Sequence, residues 1–307
     1  MRAKPKFDHV ALIGTGFIGS SLALAMRENG LCDKIIGFDD NADAAREAQK
    51  LGVTDQTAKT IDDAFIDAAL IIVATPVGAI EPIVEAINAR ASTGAVVIDV
   101  GSIKEAIVKA ASLCREDVFF VPCHPVAGTE QSGPGAGFST LFRKRWCILT
   151  PLERTDTAYL EAVRVVQSLW EAVGANVETM EASHHDLALA VTSHLPHLIA
   201  FTLIGAADDL ESVAEAEIVK YSAGGFRDFT RIAASNPVMW RDVFLHNKDA
   251  VLETLGRFSE ELAILQRAIR WGDGEALHKA FARGRDLRQA IVAAGQETNA
   301  PNFGRDE

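Results

Sequence analysis

Gly14, Gly16 and Gly19 stand at G-x-G-x-x-G spacing, directly after the apolar run Val10–Ile13 and ahead of a helical pattern over Ser20–Asn29. That spacing suits a dinucleotide. Gly14 permits a tight turn, Gly16 lets the backbone approach a pyrophosphate, and Gly19 allows close helix–strand packing. The helix start adds free N–H groups and a positive dipole end for phosphates. A bare glycine triplet is also an ordinary tight turn, so the context decides. The next strand ends in Asp39, 20 residues past Gly19. A carboxylate there holds the ribose hydroxyls and repels a 2′-phosphate, so NAD is expected rather than NADP, with Asp40 as the competing ribose ligand. Gly14, Thr15, Gly16, Phe17, Ile18 and Gly19 are expected to form the cofactor cradle. Thr75 and Pro76, at the end of the third strand, are expected to line the same crevice.

A hydride taken from a carbinol carbon leaves a hydroxyl proton to be accepted, a task for which histidine is suited near neutral pH. His124 follows Pro122-Cys123 and precedes Pro125 at the end of the fifth strand, held on a rigid turn. Adjacent strand residues face opposite ways, so Cys123 is expected to pack inward and His124 to face the crevice. Ser102, with Lys104, lies at the end of the fourth strand, at the same mouth of the crevice as the cofactor cradle. His194 and His197 share a helix face and suit anion recognition or buried hydrogen bonding. With no carboxylate at a third ligand spacing, no metal is expected. Arg231 lies among Gly, Phe and Thr, where its guanidinium suits a carboxylate. Its alternative is a salt bridge to Asp228, Asp242 or Glu130.

These residues need a scaffold. Short Val/Ile/Leu-rich runs at Val10–Ile13, Ile35–Phe38, Leu70–Ala74, Val96–Val100, Val118–Pro122 and Trp146–Leu149 alternate with helical patterns, with a late strand at Asn176–Met180. Such alternation predicts α/β architecture, a Rossmann-like doubly wound parallel sheet buried on both faces. After about Ala182 strand signals stop and helices follow, over His184–Asp208, Glu211–Tyr221, Pro237–Arg270 and Asp273–Ala294. The expected division is residues 1–182 for the NAD-binding domain, 183–297 for an all-helical domain and 298–307 for a polar tail.

Composition narrows the partners. Of the 307 residues 48% are hydrophobic, which suits a folded chain, and the net charge of -12 lacks the footprint of a nucleic-acid binder. The four cysteines, Cys32, Cys114, Cys123 and Cys147, form no C-x-x-C pair, so a reducing cytoplasm is expected. Leu187–Ala207 carries no Asp, Glu, Lys or Arg over 21 residues, a membrane-spanning length. His194, His197 and Pro196 within it favour a buried helix and no membrane.

The glycine turn, Asp99-Val-Gly-Ser-Ile-Lys104, His124-Pro-Val-Ala-Gly-Thr-Glu130, Ser193-His-Leu-Pro-His197 and Gly225-Phe-Arg-Asp-Phe-Thr-Arg231, with Trp240 nine residues on, occur in one order over residues 9 to about 250. In these motifs the chain resembles the prephenate/arogenate dehydrogenase family of tyrosine biosynthesis. The resemblance implies a Rossmann-like domain joined to an all-helical dimerisation domain, an intertwined homodimer, and NAD-dependent oxidative decarboxylation of a cyclohexadienol. It implies that His124 hydrogen-bonds or deprotonates the ring hydroxyl, Ser102 orients it and Arg231 anchors the ring carboxylate. His197, with His194 and Ser193, addresses the substrate side chain. Thr129 joins the substrate contacts, Glu130 and Arg227 form a gate, and Trp240 packs against the pocket. Prephenate and arogenate are both open. The rivals are a β-hydroxyacid dehydrogenase or related reductase, whose long helix would offer a catalytic Lys followed by Asn, and a non-catalytic NAD sensor.

Overall fold

The computed structural model describes residues 4–129, 131–209 and 224–293. Its centre is a six-stranded parallel sheet of β1 (Phe7–Ile13), β2 (Cys32–Phe38), β3 (Gln56–Thr57), β4 (Leu70–Val73), β5 (Val96–Asp99) and β6 (Phe119–Val121). The strands lie in the order β3-β2-β1-β4-β5-β6. The chain reverses its winding between β1 and β4, and a crevice opens beyond their carboxyl ends. The two faces are built by alternation. Val10, Leu12, Leu70, Ile72, Val96 and Ile98 enter one apolar core. Ala11, Ile13, Ile71, Val73 and Val97 enter the other. Helices α1 (Phe17–Glu28) and α6 (Thr157–Ala172) cover the first face, and α3 (Ile61–Phe65), α4 (Ile80–Arg90) and α5 (Glu105–Ala111) the second. Helix α2 is Ala42–Lys50.

The expected single sheet needs correction. Pro122 has no N–H to continue a ladder, and the parallel sheet stops at Val121. The chain then starts a second, three-stranded sheet of β7 (Cys123–Pro125), β8 (Trp146–Leu149) and β9 (Asn176–Thr179). Strand β8 runs antiparallel to β7, with His124 opposite Ile148. His124 therefore sits on a paired strand rather than a turn. The two-residue β3 was not among the expected strands.

Beyond Thr179 come α7 (Ala182–Leu189), a π-helical turn over Ala190–His194, and α8 (Leu195–Asp209). The expected straight helix carries this wide turn because Pro196 has no N–H for the carbonyl of Thr192 and its ring would crowd that carbonyl. Thr192 also turns its hydroxyl back to the Ala188 carbonyl, at 2.8 Å. Nor is the helix buried along its length: Leu203 is 39% exposed and Ile204 43%. The stretch Ala182–Ala207 is long and apolar enough to cross a membrane.

The remaining helices are α9 (Gly224–Thr230), α10 (Pro237–His246), α11 (Lys248–Trp271) and α12 (Gly274–Ala293). The helix expected over Pro237–Arg270 breaks at Asn247, whose side-chain amide is drawn to the Asp186 carbonyl at 2.9 Å and to His194 Nδ1 at 3.0 Å. The segment Glu211–Tyr221, Glu130 and the tail 298–307 lie outside the described residues. By packing the chain forms two compact units, Met1–Val251 and Leu252–Glu307.

Candidate active site

The glycine turn is shaped by contact. Gly14 has φ +92°, and a Cβ there would lie 2.4 Å from the Ala74 carbonyl oxygen. A Cβ on Gly19 would lie 2.3 Å from the Gly14 oxygen, so side chains are excluded where α1 crosses β1. At Gly16 nothing lies within 4 Å, leaving the backbone open to a ligand. Helix α1 starts there with no side-chain cap and no acid in its first turn. Its first N–H groups are free for a pyrophosphate. Phe17 packs its ring on Phe138, centroids 6.0 Å apart, so Phe17 and the half-buried Ile18 offer a cofactor mainly their backbone. Thr75 leaves a buried Oγ1 with no hydrogen-bond partner at the end of β4, beside exposed Pro76.

Asp39 is more committed than expected. Its Oδ2 accepts from Thr15 N at 2.8 Å and Thr15 Oγ1 at 3.0 Å, and its Oδ1 accepts from Asn41 N at 2.9 Å. Asp39 thereby ties the strand end to the glycine turn, while Asp39 and Asp40 both border a cavity of about 430 Å³. Arg46 and Lys59 also line it, and Arg46 pairs with Asp43. The residues immediately after Asp39 give no hint of these two cations.

Asp99 and Lys104 set the chemical end. Lys104 is wholly buried, with its Nζ bonded to Asp99 and, at 2.7 Å, to the Cys123 carbonyl. Asp99 also accepts from Gly101 N at 2.8 Å and Cys123 N at 2.9 Å. These bonds fix the Ser102 loop to β7 and so to His124. Gly101 approaches Val77 closely, its Cβ position 3.5 Å from Val77 Cγ2, which sets this loop beside the end of β4. Cys123 packs into the core, as alternation requires.

His124 is buried, with Nδ1 2.7 Å from His185 Nε2. His185 Nδ1 in turn lies 2.7 Å from Asp186 Oδ1. Asp186 is held by the start of α5, accepting from Lys104 N at 2.7 Å and Glu105 N at 2.9 Å. Burial pushes His124 well below the usual imidazole range, helped by His185, Lys104 and His194. Burial lowers His185 too, against the opposing pull of Asp186. Both rings are neutral at pH 7.

His194 is fully buried, accepts from Asn247, and has its pKa pushed down to about 4, chiefly by burial. It sits in the wall, edge-on to Trp240 at 6.0 Å. His197 is the more accessible ring. It stacks on Trp240 at 3.7 Å and donates from Nδ1 to the Ser193 carbonyl at 2.8 Å, leaving Nε2 with a lone pair. Burial lowers its pKa, and the nearby Arg231 charge adds to this. Arg231 itself is exposed, more so than its Gly/Phe/Thr setting suggests. Of its suggested partners, Asp242 pairs with Arg241 at 2.7 Å and Asp228 with Arg227 at 3.7 Å.

The structure thus links the Ser102 loop, His124, His194, Trp240 and His197 through one chain of contacts, with the Arg231 charge felt at His197. Arg227 is exposed. Thr129 is half-buried and accepts from Gln131 N at 3.2 Å within its own turn. Asp99, His185, Asp186 and Asn247 complete the site, and sequence reasoning passed over them as ligands. A signal existed for Asp186: it lies eleven positions before His197, about three helical turns, and so on the same face.

Comparison with known proteins bears on the whole chain. Residues 22–179 match the family described as prephenate dehydrogenase, nucleotide-binding domain, and residues 181–283 match prephenate dehydrogenase, dimerization domain. The chain is 38% identical over 287 residues to the cyclohexadienyl dehydrogenase of Zymomonas mobilis, covering 93% of this chain and 96% of that one. It is 35% identical to the prephenate dehydrogenase of Bacillus subtilis, over 92% and 76% of the two chains. Among solved structures it is similar to prephenate dehydrogenase from Aquifex aeolicus in complex with hydroxyphenyl propionate and NAD+. That match has TM-score 0.81 and 33% identity, covering 93% of this chain and 98% of that one.

Proposed function

The chain belongs to the prephenate dehydrogenase family, and on that premise we propose that it oxidatively decarboxylates prephenate, arogenate or both in tyrosine biosynthesis. It is an NAD-dependent dehydrogenase. The open backbone at Gly16, the uncapped start of α1 and the unpartnered Thr75 Oγ1 fit the dinucleotide. When bound, the nicotinamide supplies a hydride acceptor for the ring carbon bearing the hydroxyl. The observation that carries the reading is His124: a buried, neutral imidazole fastened to the Ser102 loop on the crevice side of the sheet.

His124 takes the hydroxyl proton, and Ser102 orients the hydroxyl toward it. The proton returns to the ring oxygen as the carboxylate leaves as CO2 and the ring becomes aromatic, so His124 ends as it began. Arg231 anchors the ring carboxylate and Trp240 walls the pocket. Ser193 and His197 address the side-chain end, with His194 supporting that wall. Neutral His197 offers a lone pair at Nε2, which suits the ammonium of arogenate; as an imidazolium it suits a carboxylate. Thr129, Glu130 and Arg227 belong to the rim. The test is NADH formation with purified protein and each substrate in turn. Turnover of neither would overturn the reading, and turnover of a small β-hydroxy acid instead would favour the rival dehydrogenase class.

The helical half, in this reading, pairs two copies of the chain. The name of the matched dimerization domain supports it, as do exposed Leu203 and Ile204 on α8 and, in the second unit, exposed Trp271, Phe281 and Leu287. A second copy suits the α8 face better than lipid, because Pro196 and His197 lie on that helix and His194 directly precedes it. The net charge of -12 argues against nucleic acid. Free Cys32, Cys114, Cys123 and Cys147 support a cytoplasmic setting, which fractionation would check.

A further inference from the structure

We infer that His185 and Asp186 are positioning residues that lock His124 in the tautomer a proton acceptor needs. The inference rests on the proposed role of His124 and extends it. A carboxylate only accepts, so the 2.7 Å contact to Asp186 Oδ1 places the His185 proton on Nδ1. Asp186 has no freedom to release it, because the Lys104 and Glu105 N–H groups hold both its oxygens. Neutral His185 therefore presents a lone pair at Nε2. That lone pair lies 2.7 Å from His124 Nδ1, so His124 donates from Nδ1 and carries its own lone pair on Nε2. The two rings meet edge to face, 67° apart, which keeps the bond in a fixed direction.

Chemically the relay does two things. It directs the only basic atom of His124 away from the protein interior, where the substrate hydroxyl must come. It also prepares for the charge that follows. When the O–H bond breaks, its electrons stay on the ring oxygen and the proton binds His124 Nε2. The imidazolium then keeps donating from Nδ1 to His185, with the Asp186 charge one ring behind. No second proton moves, and the first returns to the ring oxygen when CO2 departs. Without the relay nothing fixes the tautomer, and the ring with its proton on Nε2 cannot accept the hydroxyl proton there. The same logic governs any base whose second nitrogen is bonded to a carboxylate or its surrogate.

Two measurements test this. The first is ¹⁵N NMR of the histidine-labelled full-length protein, with His124 assigned through His124→Asn. Protonated Nδ1 and bare Nε2 at neutral pH are expected; the reverse tautomer overturns the inference. The second compares His185→Leu, which has no acceptor, with His185→Gln, whose amide oxygen can take the His124 Nδ1–H. The expected result is kcat about 10²-fold lower for Leu, within about tenfold of wild type for Gln, and little change in KM or NAD affinity for either. Equal losses in both variants, or none, would overturn it. Should wild type turn over neither substrate, the proposed reaction fails, and the NMR tautomer still decides the relay on its own.

Discussion

In the proposed reaction His124 moves a proton and Arg231 holds an anion, and kinetics can tell these roles apart. His124→Asn removes the base and is expected to lower kcat about 10²–10⁴-fold with NAD affinity kept. Arg231→Gln removes a charged anchor and is expected to raise KM about tenfold to a hundredfold. A His124 variant with undiminished kcat, or an Arg231 variant with unchanged KM, contradicts its assignment. The buried histidines also link the site to stability. In the unfolded chain His194 titrates near its ordinary 6.5, and in the fold near 4, so between those values only the unfolded chain holds the proton. The contribution is fully present above 6.5 and is lost as pH falls toward 4. Tm should therefore drop between about pH 7 and about pH 5.5. The drop should be smaller in His194→Asn, which still accepts from Asn247; equal drops would place the effect elsewhere.

At the scale of elements, the turn between β1 and α1 separates folding from binding. Gly14→Ala meets the Ala74 carbonyl at a positive φ and is expected to cost more than about 2 kcal/mol of stability. Gly16→Ala meets no protein atom within 4 Å. It should cost under about 1 kcal/mol, yet weaken NAD at least about tenfold by occupying the pyrophosphate approach. Unchanged NAD affinity in Gly16→Ala would move the cofactor site. Near-continuous apolar runs made β1, β4 and β5 legible in the sequence, because these strands are buried on both faces. The second sheet was hidden: Cys123-His124-Pro125 is too short for a pattern, and the direction of β8 depends on a long-range partner. The π-turn and the break at Asn247 depend on Pro196 and on a side chain bonded 61 residues away, to Asp186. Likewise His184-His185-Asp186 reads as an ordinary polar helix start until β7 is brought against it.

For the molecule as a whole, unpaired apolar surface sets the next expectation. Helix α12 has no buried residue within the described chain, and Phe281, Leu287 and Ile291 are exposed along it. Light scattering should give twice the chain mass of 33.0 kDa, and a monomer at micromolar concentration would contradict the pairing of helical halves. A net charge of -12 is compatible with an anionic substrate in the proposed site, where Arg231 places positive charge near His197. The proposed reaction joins two events, hydride loss and decarboxylation, in one active site. It is tested most directly by measuring NADH and CO2 together, from prephenate and from arogenate, with the wild-type protein. One CO2 for each NADH is expected with at least one of them; NADH without CO2, or neither, would contradict the proposed reaction.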